Sequence, residues 1–557
     1  MTRRAPRRRT VLGAAALAAA LLMAGCANIP TAGSVSKQII DAGGGEPAPI
    51  TLPDEPVKGA TQQQILEGFI KAGRGPQLNY GVARDFLTDD FRTKWNPNAG
   101  VLISSSPIVS APIGDNELQI AVSVSAEVDA SGRYTAYVES QSKPLQFRFQ
   151  KDAKGQWRIS SAPDGTVLTP NRFASIFHDY DLYFFDPTFQ YLVPDKRWFA
   201  DATQVASRIV KVLLAGPPDW LNGAVVSAFP TGTALTGAPR IDSGRATVDL
   251  TSQVSSESAT GKRRMTQQLA QSLSSLAPLT ASITVGGFPL TVADGPEPDH
   301  LETVLPDPVG FQKGQFGTLV GGSVRPLPGI GPAIDKLAPG GAAVGHLGDQ
   351  VAVLNAAGVS VVRGDSAPVL LDSRQGLVVP SLDPEGFVWS VPAGQPGAII
   401  TYDVAGKSHP VTFNLDGQVL SMAVSRDGTR LLMAVQTSSG PKLLVAGIIR
   451  DKDLVPTSLG QPNYLPIGSS PLLGASWVLS GRVVALSQEG DSTAVNTYDL
   501  GGQKGMLGSL DAGVAVVGGN GNPGIRVLGS SGSVFSPSGS LGWQDTGLNA
   551  SFLASQQ

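Results

Sequence analysis

The chain has one cysteine, Cys26, in 557 residues. A lone cysteine forms no internal disulfide and no cysteine metal cage, so its surroundings must supply its use. Five arginines (Arg3, Arg4, Arg7, Arg8 and Arg9) precede a 14-residue apolar run, Val11 to Ala24, and Ala24-Gly25 then leads into the thiol. Fourteen residues at ~1.5 Å each make a helix of about 21 Å, short of the ~30 Å hydrocarbon core. The run therefore reads as the apolar stretch of a signal peptide rather than a spanning helix. Small residues before the cysteine let a lipoprotein signal peptidase reach the backbone once the thiol carries a diacylglyceryl group. Met23 stands where leucine is commoner, with Leu22 one place earlier. The expectation is cleavage between Gly25 and Cys26, a lipid on Cys26, and the rest of the chain held at the extracytoplasmic face of the cell membrane. Arg8-Arg9-Thr10-Val11-Leu12 also resembles a twin-arginine export signal, and both export routes stay open at this point.

The remaining reactive residues do not assemble into a set. His178, His300, His346 and His409 are at least 46 residues apart, and no pair has the spacing that places two imidazoles on one metal. Asp179, Asp181 and Asp186 cluster near His178 and could hold a hard cation, yet Leu182–Phe185 between them reads as a strand whose ends they mark. Ser-x-x-Lys occurs at Ser34 and Lys37 in an expected tether, and at Ser140 and Lys143 in an expected loop; neither opens a buried helix. Asp89-Asp90 are adjacent and point apart, which makes a poor acid–base couple. Gly519-Asn520-Gly521-Asn522-Pro523-Gly524 matches Gly-x-Gly-x-x-Gly by letter, but a strand rather than a helix follows, so no helix N-terminus faces a pyrophosphate. Trp198, Phe199, Trp220, Trp389, Trp477 and Trp543 could line a binding face, although core packing is the commoner use of each. The reading is of a non-enzyme with no cofactor and no metal.

Bulk composition points the same way. Removing the five N-terminal arginines leaves 37 basic against 45 acidic side chains, a net charge of −8. Such a body lacks the basic stripe that phosphate neutralisation needs, which argues against nucleic acid. The length suggests about three folded units, and 66 glycines with 42 prolines at 16% charge suit turn-rich β structure.

The elements that would position these residues fall into blocks. Residues 1–25 are the signal peptide and 26–60 a Gly/Pro/Ser-rich flexible tether. Over 61–170, a helical stripe (Ile65, Leu66, Phe69, Ile70), a second helix holding Val82, Phe86 and Leu87, and alternating strands predict a small α+β domain. Those strands are placed at Leu118–Val124, Tyr134–Val138, Leu145–Phe149 and Trp157–Ile159. Over 175–300, strands at Leu182–Phe185 and Tyr191–Val193 precede a helix capped by Asp201 with Gln204 and stopped at Gly216-Pro217-Pro218. A strand at Ala246–Leu250, a helix through Met265, Leu269, Leu273 and Leu276, and strands at Ala281–Val285 and Leu290–Val292 complete a second α+β domain. From 310 to 557 short β-branched runs alternate with turns. Turn glycines at Gly348, Gly386, Gly428 and Gly481 are spaced 38, 42 and 53 residues apart, as in a propeller of five or six blades. A pair of β-sandwiches is the competing architecture. The fold class is thus multidomain: two small α+β domains followed by an all-β, propeller-like C-terminal domain.

Asp181-Leu182-Tyr183-Phe184-Phe185, Leu192-Val193-Pro194, Leu213-Leu214-Ala215-Gly216-Pro217-Pro218, Phe229-Pro230-Thr231-Gly232-Thr233 and Ala246-Thr247-Val248-Asp249-Leu250 resemble a GerMN domain. Phe86-Leu87-Thr88 and Trp157-Arg158-Ile159 look like the N-terminal domain of the actinobacterial LpqB lipoprotein family, and the order of parts over roughly residues 20–550 matches that family. The resemblance implies a lipid-anchored accessory protein associated with the extracellular side of the MtrA–MtrB two-component system. There it would bind the sensor domain of the histidine kinase and influence envelope and division programmes. Only Cys26 carries over as a defined position. Two other readings stand beside this one: an envelope enzyme acting on wall glycans, and a sensor whose propeller or GerMN-like unit binds wall fragments.

Overall fold

The first described helix opens with a reciprocal cap at Thr61. Its hydroxyl accepts from Gln64 N at 3.3 Å, and Gln64 Oε1 accepts from Thr61 N at 2.9 Å, so two amide donors at the head of helix Gln62–Ala72 are satisfied. In this computed structural model the described residues are 54–557, except 77–78, 201–203, 277–279, 300–302, 346–347 and 503. Cys26, the signal peptide, Ser34, Lys37, Asp201, His300 and His346 lie outside them.

The helix buries Ile65, Leu66, Phe69 and Ile70 against a sheet ordered Trp157–Ser161, Tyr134–Lys151, Glu117–Asp129, Gly100–Ser104, Thr166–Leu168. Val109–Gly114 pairs on Glu117–Asp129 as well. The two strands expected at Tyr134–Val138 and Leu145–Phe149 are one strand, so Ser140 and Lys143 are not in a loop. The stretch between them reads as polar because residues 139–142 are exposed in the middle of an 18-residue strand, and Pro144 sits opposite Ala121 without ending it. The second helix is shorter than expected, Gly81–Asp85, with Phe86 and Leu87 beyond it.

The second domain opens with a hairpin, Phe177–Phe185 against Leu192–Ala200, longer than the two predicted strands because the run through Trp198 and Phe199 is strand too. Helix Val205–Ala215 is capped by Gln204, whose side chain makes no capping bond. It ends at Gly216 (φ +96°), before two prolines that cannot continue it. Helix Ala259–Leu273 packs on a four-stranded sheet ordered Phe288–Pro289, Thr280–Val285, Arg245–Asp249, Arg240–Asp242. The strand expected at Leu290–Val292 is Phe288–Pro289 instead, with one further bond from Leu290 N to Ile283 O at 2.8 Å.

The third domain holds six further sheets of four or five strands, each a blade. Their innermost strands are Gly341–Val344, Ser381–Leu382, Gln418–Val424, Leu472–Leu479, Gly513–Val517 and Phe552–Leu553, and each touches the next round to the first, so the ring is closed. Closure is by chain exchange: Phe552–Leu553 supplies the inner strand to the blade of Val309–Gln312, Gln315–Val320 and Ser323–Pro326. Ser555–Gln556 continues in parallel beside Gly341–Val344, and the Gln557 side chain donates to Ser381 Oγ at 2.6 Å and accepts from Leu382 N at 2.5 Å. The four turn glycines read from the sequence all lie between the first and second strands of consecutive blades, which is why their spacing carries the blade period.

Arginines of one blade tie three of those turns together, at Gly386, Gly428 and Gly481. Arg450 Nη2 lies 2.8 Å from Asp383 and 3.3 Å from Glu385. Arg430, fully buried, pairs with Asp427 and donates to Ser480 O at 2.6 Å, and Arg426 donates to Gly519 O at 3.0 Å. At Gly428 (φ +70°) a Cβ would come within 2.8 Å of Pro384 and Glu385 of the neighbouring blade, so only glycine fits.

The three domains share packing. One apolar cluster runs from Leu182, Phe184, Ile209 and Leu269 of the second domain into Leu432, Val445 and Trp477 of the propeller. The hairpin Phe177–Phe185/Leu192–Ala200 reaches both neighbours. Arg197 donates to Ser131 O and Oγ (3.2 and 2.6 Å) in the first domain, and Trp198 N to Gly132 O at 2.7 Å. On the propeller side, a Cβ on Gly501 would meet Lys196 at 2.5 Å.

Candidate functional site

His178 is exposed on a strand, and His409 Nε2 pairs with Asp403 at 3.1 Å. Asp179 and Asp181 share the largely buried Lys196, the second at 3.3 Å, so an ammonium stands where a cation would bind. Asp186 spends its carboxylate on the hairpin turn, accepting from Thr188 N, Gln190 N and Tyr191 N at 2.6–2.7 Å. Among the described residues no group of three or more His, Cys, Asp or Glu is placed to hold a metal. Lys143 pairs with Glu127. The Gly519–Gly524 segment is a loop with a single 3-10 turn, and its Asn520 side chain clamps the interdomain linker, exchanging two 2.9 Å hydrogen bonds with Val304 N and O. Its glycines serve close packing: a Cβ on Gly519 would sit 2.6 Å from Gly524 O. Trp198, Phe199, Trp220, Trp389 and Trp477 are at most 4% exposed and belong to cores; Trp543 is half-buried and donates to Leu507 O.

What the second domain does present is an aromatic tip. Phe288 follows Gly286-Gly287 in the tight turn between Thr280–Val285 and Phe288–Pro289, and it is 79% exposed. A large apolar side chain left in water on a structured turn is the informative kind of exposure. The turn is pinned from beneath by Asp249, which accepts from Thr284 Oγ1 at 2.7 Å, Gly287 N at 2.9 Å, and Thr236 Oγ1. The Thr236 and Thr284 hydroxyls, then the Gly287 amide, hold this carboxyl down to about 2. It is ionised at any neutral pH and grips three segments at once. At the opposite edge of the same sheet, Ile241 is 46% exposed on the fully exposed strand Arg240–Asp242. Sequence reading missed Phe288, because a Gly-Gly-Phe-Pro turn carries no periodicity, and missed Asp249, because its partners lie 13, 35 and 38 residues away.

The second domain is also held against the first. Asp195 and Arg197, both about 5% exposed or less, pair at 2.7 Å inside the hairpin that contacts the first domain. Burial pushes the Asp195 carboxyl up while Arg197 opposes it.

Comparison with known proteins matches each part in order. The domain described as "Lipoprotein LpqB, N-terminal domain" matches residues 55–174, "Sporulation and spore germination" matches 181–291, and "Lipoprotein LpqB beta-propeller domain" matches 314–549. The chain is 29% identical over 548 residues to Lipoprotein LpqB of Streptomyces coelicolor, covering 86% of this chain and 85% of the relative. It is 27% identical over 342 residues to Lipoprotein LpqB of Cutibacterium acnes, a match spanning 58% of this chain and 56% of the relative. With Lipoprotein LpqB of Thermobifida fusca the match, 29% identical, spans 39% of the relative. A solved structure of the tandem GerMN domains of the sporulation protein GerM from Bacillus subtilis aligns at 17% identity with a TM-score of 0.18, over 22% of this chain and 48% of that one. Matched in all three parts and in their order, the chain belongs to the LpqB lipoprotein family.

Proposed function

We propose that this protein is a lipid-anchored accessory of an envelope signalling system, held through an acylated Cys26 at the extracytoplasmic face. It binds the extracellular sensor domain of the histidine kinase of the MtrA–MtrB system, and it acts by contact rather than by catalysis. The arginine-rich leader, the 14-residue apolar run and the Gly25-Cys26 junction support the anchor. The carrying observation for contact is Phe288, an aromatic exposed on a turn that Asp249 has already ordered. Aromatic anchors dominate interface energetics, and an anchor that needs no ordering on binding keeps more of its burial as affinity.

A soluble form lacking residues 1–26 should bind the purified sensor domain in a titration calorimeter. Phe288→Asp should weaken that binding at least ~10-fold, about 1.4 kcal/mol, with an unchanged melting temperature. No heat of binding at ~100 µM sensor domain, where an affinity worth ~5.5 kcal/mol would register, rejects the partner. Mass spectrometry of the membrane-extracted protein should show a diacylglyceryl group on an N-terminal Cys26; any other N-terminus rejects the anchor.

A further inference from the structure

The first domain holds a half-open cavity of about 330 Å3 between helix Gln62–Ala72 and the sheet it covers. That is roughly twice the ~150 Å3 void that takes up one benzene, and it lies within the ~300–1,000 Å3 range of ligand pockets. The cavity is walled chiefly by Phe69, Trp95, Leu102, Leu145, Phe147 and Val167. Phe69 meets Trp95 edge-on at 5.0 Å between centroids and Phe147 at 6.2 Å, which makes a rigid aromatic corner. Atoms bordering a void lose their dispersion partners on that side, so a core that leaves such a space gains from something filling it.

Two further observations narrow what fills it. Thr166 lines the cavity and is 8% exposed, yet its Oγ1 has no hydrogen-bond partner. Buried hydroxyls are satisfied as a rule, and one left unmade asks for an explanation. The charged side chains on the wall are Glu127, Asp129 and Asp164, all acidic; no Lys, Arg or His lines it, and Lys143 stands behind Glu127 rather than on the wall. Each carboxylate is fixed from behind. Glu127 takes bonds from Lys143 and Tyr137, Asp129 Oδ1 accepts from Ser131 N at 2.8 Å and Arg133 N at 3.0 Å, and Asp164 Oδ1 accepts from Asn96 N at 2.8 Å. A carboxylate or phosphate entering this space would meet like charge, with no cation on the wall to pair with.

We propose that the cavity binds a neutral or singly cationic apolar small molecule, its hydrophobic body against the Phe69–Trp95–Phe147 corner and one hydroxyl, carbonyl or amine at Thr166 Oγ1. Fatty acids and acidic wall peptides are excluded by the same lining. This inference goes beyond the partner-binding reading and does not rest on it.

The test uses the soluble form lacking residues 1–26 and the neutral amine dye N-phenyl-1-naphthylamine, followed by its fluorescence. Saturable one-to-one binding is expected, displaced by octanol and by octylammonium, with octanoate at least ~10-fold weaker. Leu102→Trp and Val167→Phe, which fill the space from two strands, should each abolish dye binding. Thr166→Val should melt no lower than the parent, since it removes an unpaired hydroxyl, while weakening octanol about 5–10-fold. If one filled variant melts early, the other and Thr166→Val decide. Non-saturable dye uptake, octanoate competing as well as octanol, or dye binding unchanged in a folded Leu102→Trp or Val167→Phe protein would overturn the assignment.

Discussion

Single carboxyl groups give this protein opposite responses to pH at two places. Asp249 holds its proton only near pH 2 when folded, against ~3.9 for a free aspartate. Between those values the unfolded chain binds more protons, so its contribution is complete above about pH 4 and is lost as pH falls toward 2. Asp249→Asn should therefore flatten the acid limb between about pH 4 and 2 relative to the parent, read from urea midpoints by circular dichroism; an unchanged acid limb would remove Asp249 as the pin of the Phe288 turn. Glu385 is the reverse case. Burial pushes it up to about 7, with Arg450 opposing and Asp383 and Asp186 reinforcing. Here the folded state holds the extra proton between about 4.5 and 7, so stability declines as pH rises through that window. Glu385→Gln should match the parent near pH 5 and exceed it at pH 8, by roughly 1–3 kcal/mol, in thermal melts at both pH values. Neither role was legible in the sequence, because both depend on neighbours that only folding brings close. Cys26 is legible for the opposite reason: its chemistry depends on the residues immediately before it.

Among the elements, the hairpin Phe177–Phe185/Leu192–Ala200 does the joining. It carries the buried Asp195–Arg197 pair, the contact of Arg197 with Ser131, and Lys196 against Gly501. Replacing Arg197 by Met would leave Asp195 buried without its counter-charge, a loss of ~3–5 kcal/mol. It should appear as an earlier melting transition and as faster protease cleavage near residues 129–133. A variant as stable as the parent would show that Ser131 and Gly132 do not depend on this contact. The hydrophobic core of the hairpin was legible as Leu182–Phe185 and Leu192–Val193, since consecutive apolar residues there are buried on both faces. Its outer halves were not, because Asp179, Asp181, Asp195, Lys196 and Arg197 are satisfied by one another within the hairpin, with Arg197 also reaching Ser131, and periodicity reports none of these pairings. The reverse failure occurred at 139–144, where an exposed polar stretch hid the continuity of an 18-residue strand.

At the scale of the whole molecule, the ring is closed by a strand that the sequence places far from its partners. The four turn glycines revealed the repeat, yet nothing local in Phe552–Leu553 announces that it pairs with Val309–Gln312. Deleting residues 552–557 should remove the inner strand of the first blade and the Gln557 bonds to Ser381 and Leu382. The melting temperature should fall by several degrees, and tryptophan emission from the propeller should broaden; a truncated protein with an unchanged melt would mean that the first blade stands without its inner strand. This closure also fixes an order of events on the ribosome. At ~5–20 residues per second, Phe552 emerges roughly 12–50 seconds after Phe311, its eventual neighbour across the seam. For that interval five blades' worth of β-branched edge has no ring to belong to, while the two α+β domains ahead of it can already have folded. Whatever holds nascent chains open in the cell has its longest task here, and a sequence change that hastened early blade pairing would be paid in misfolded product rather than in lost stability.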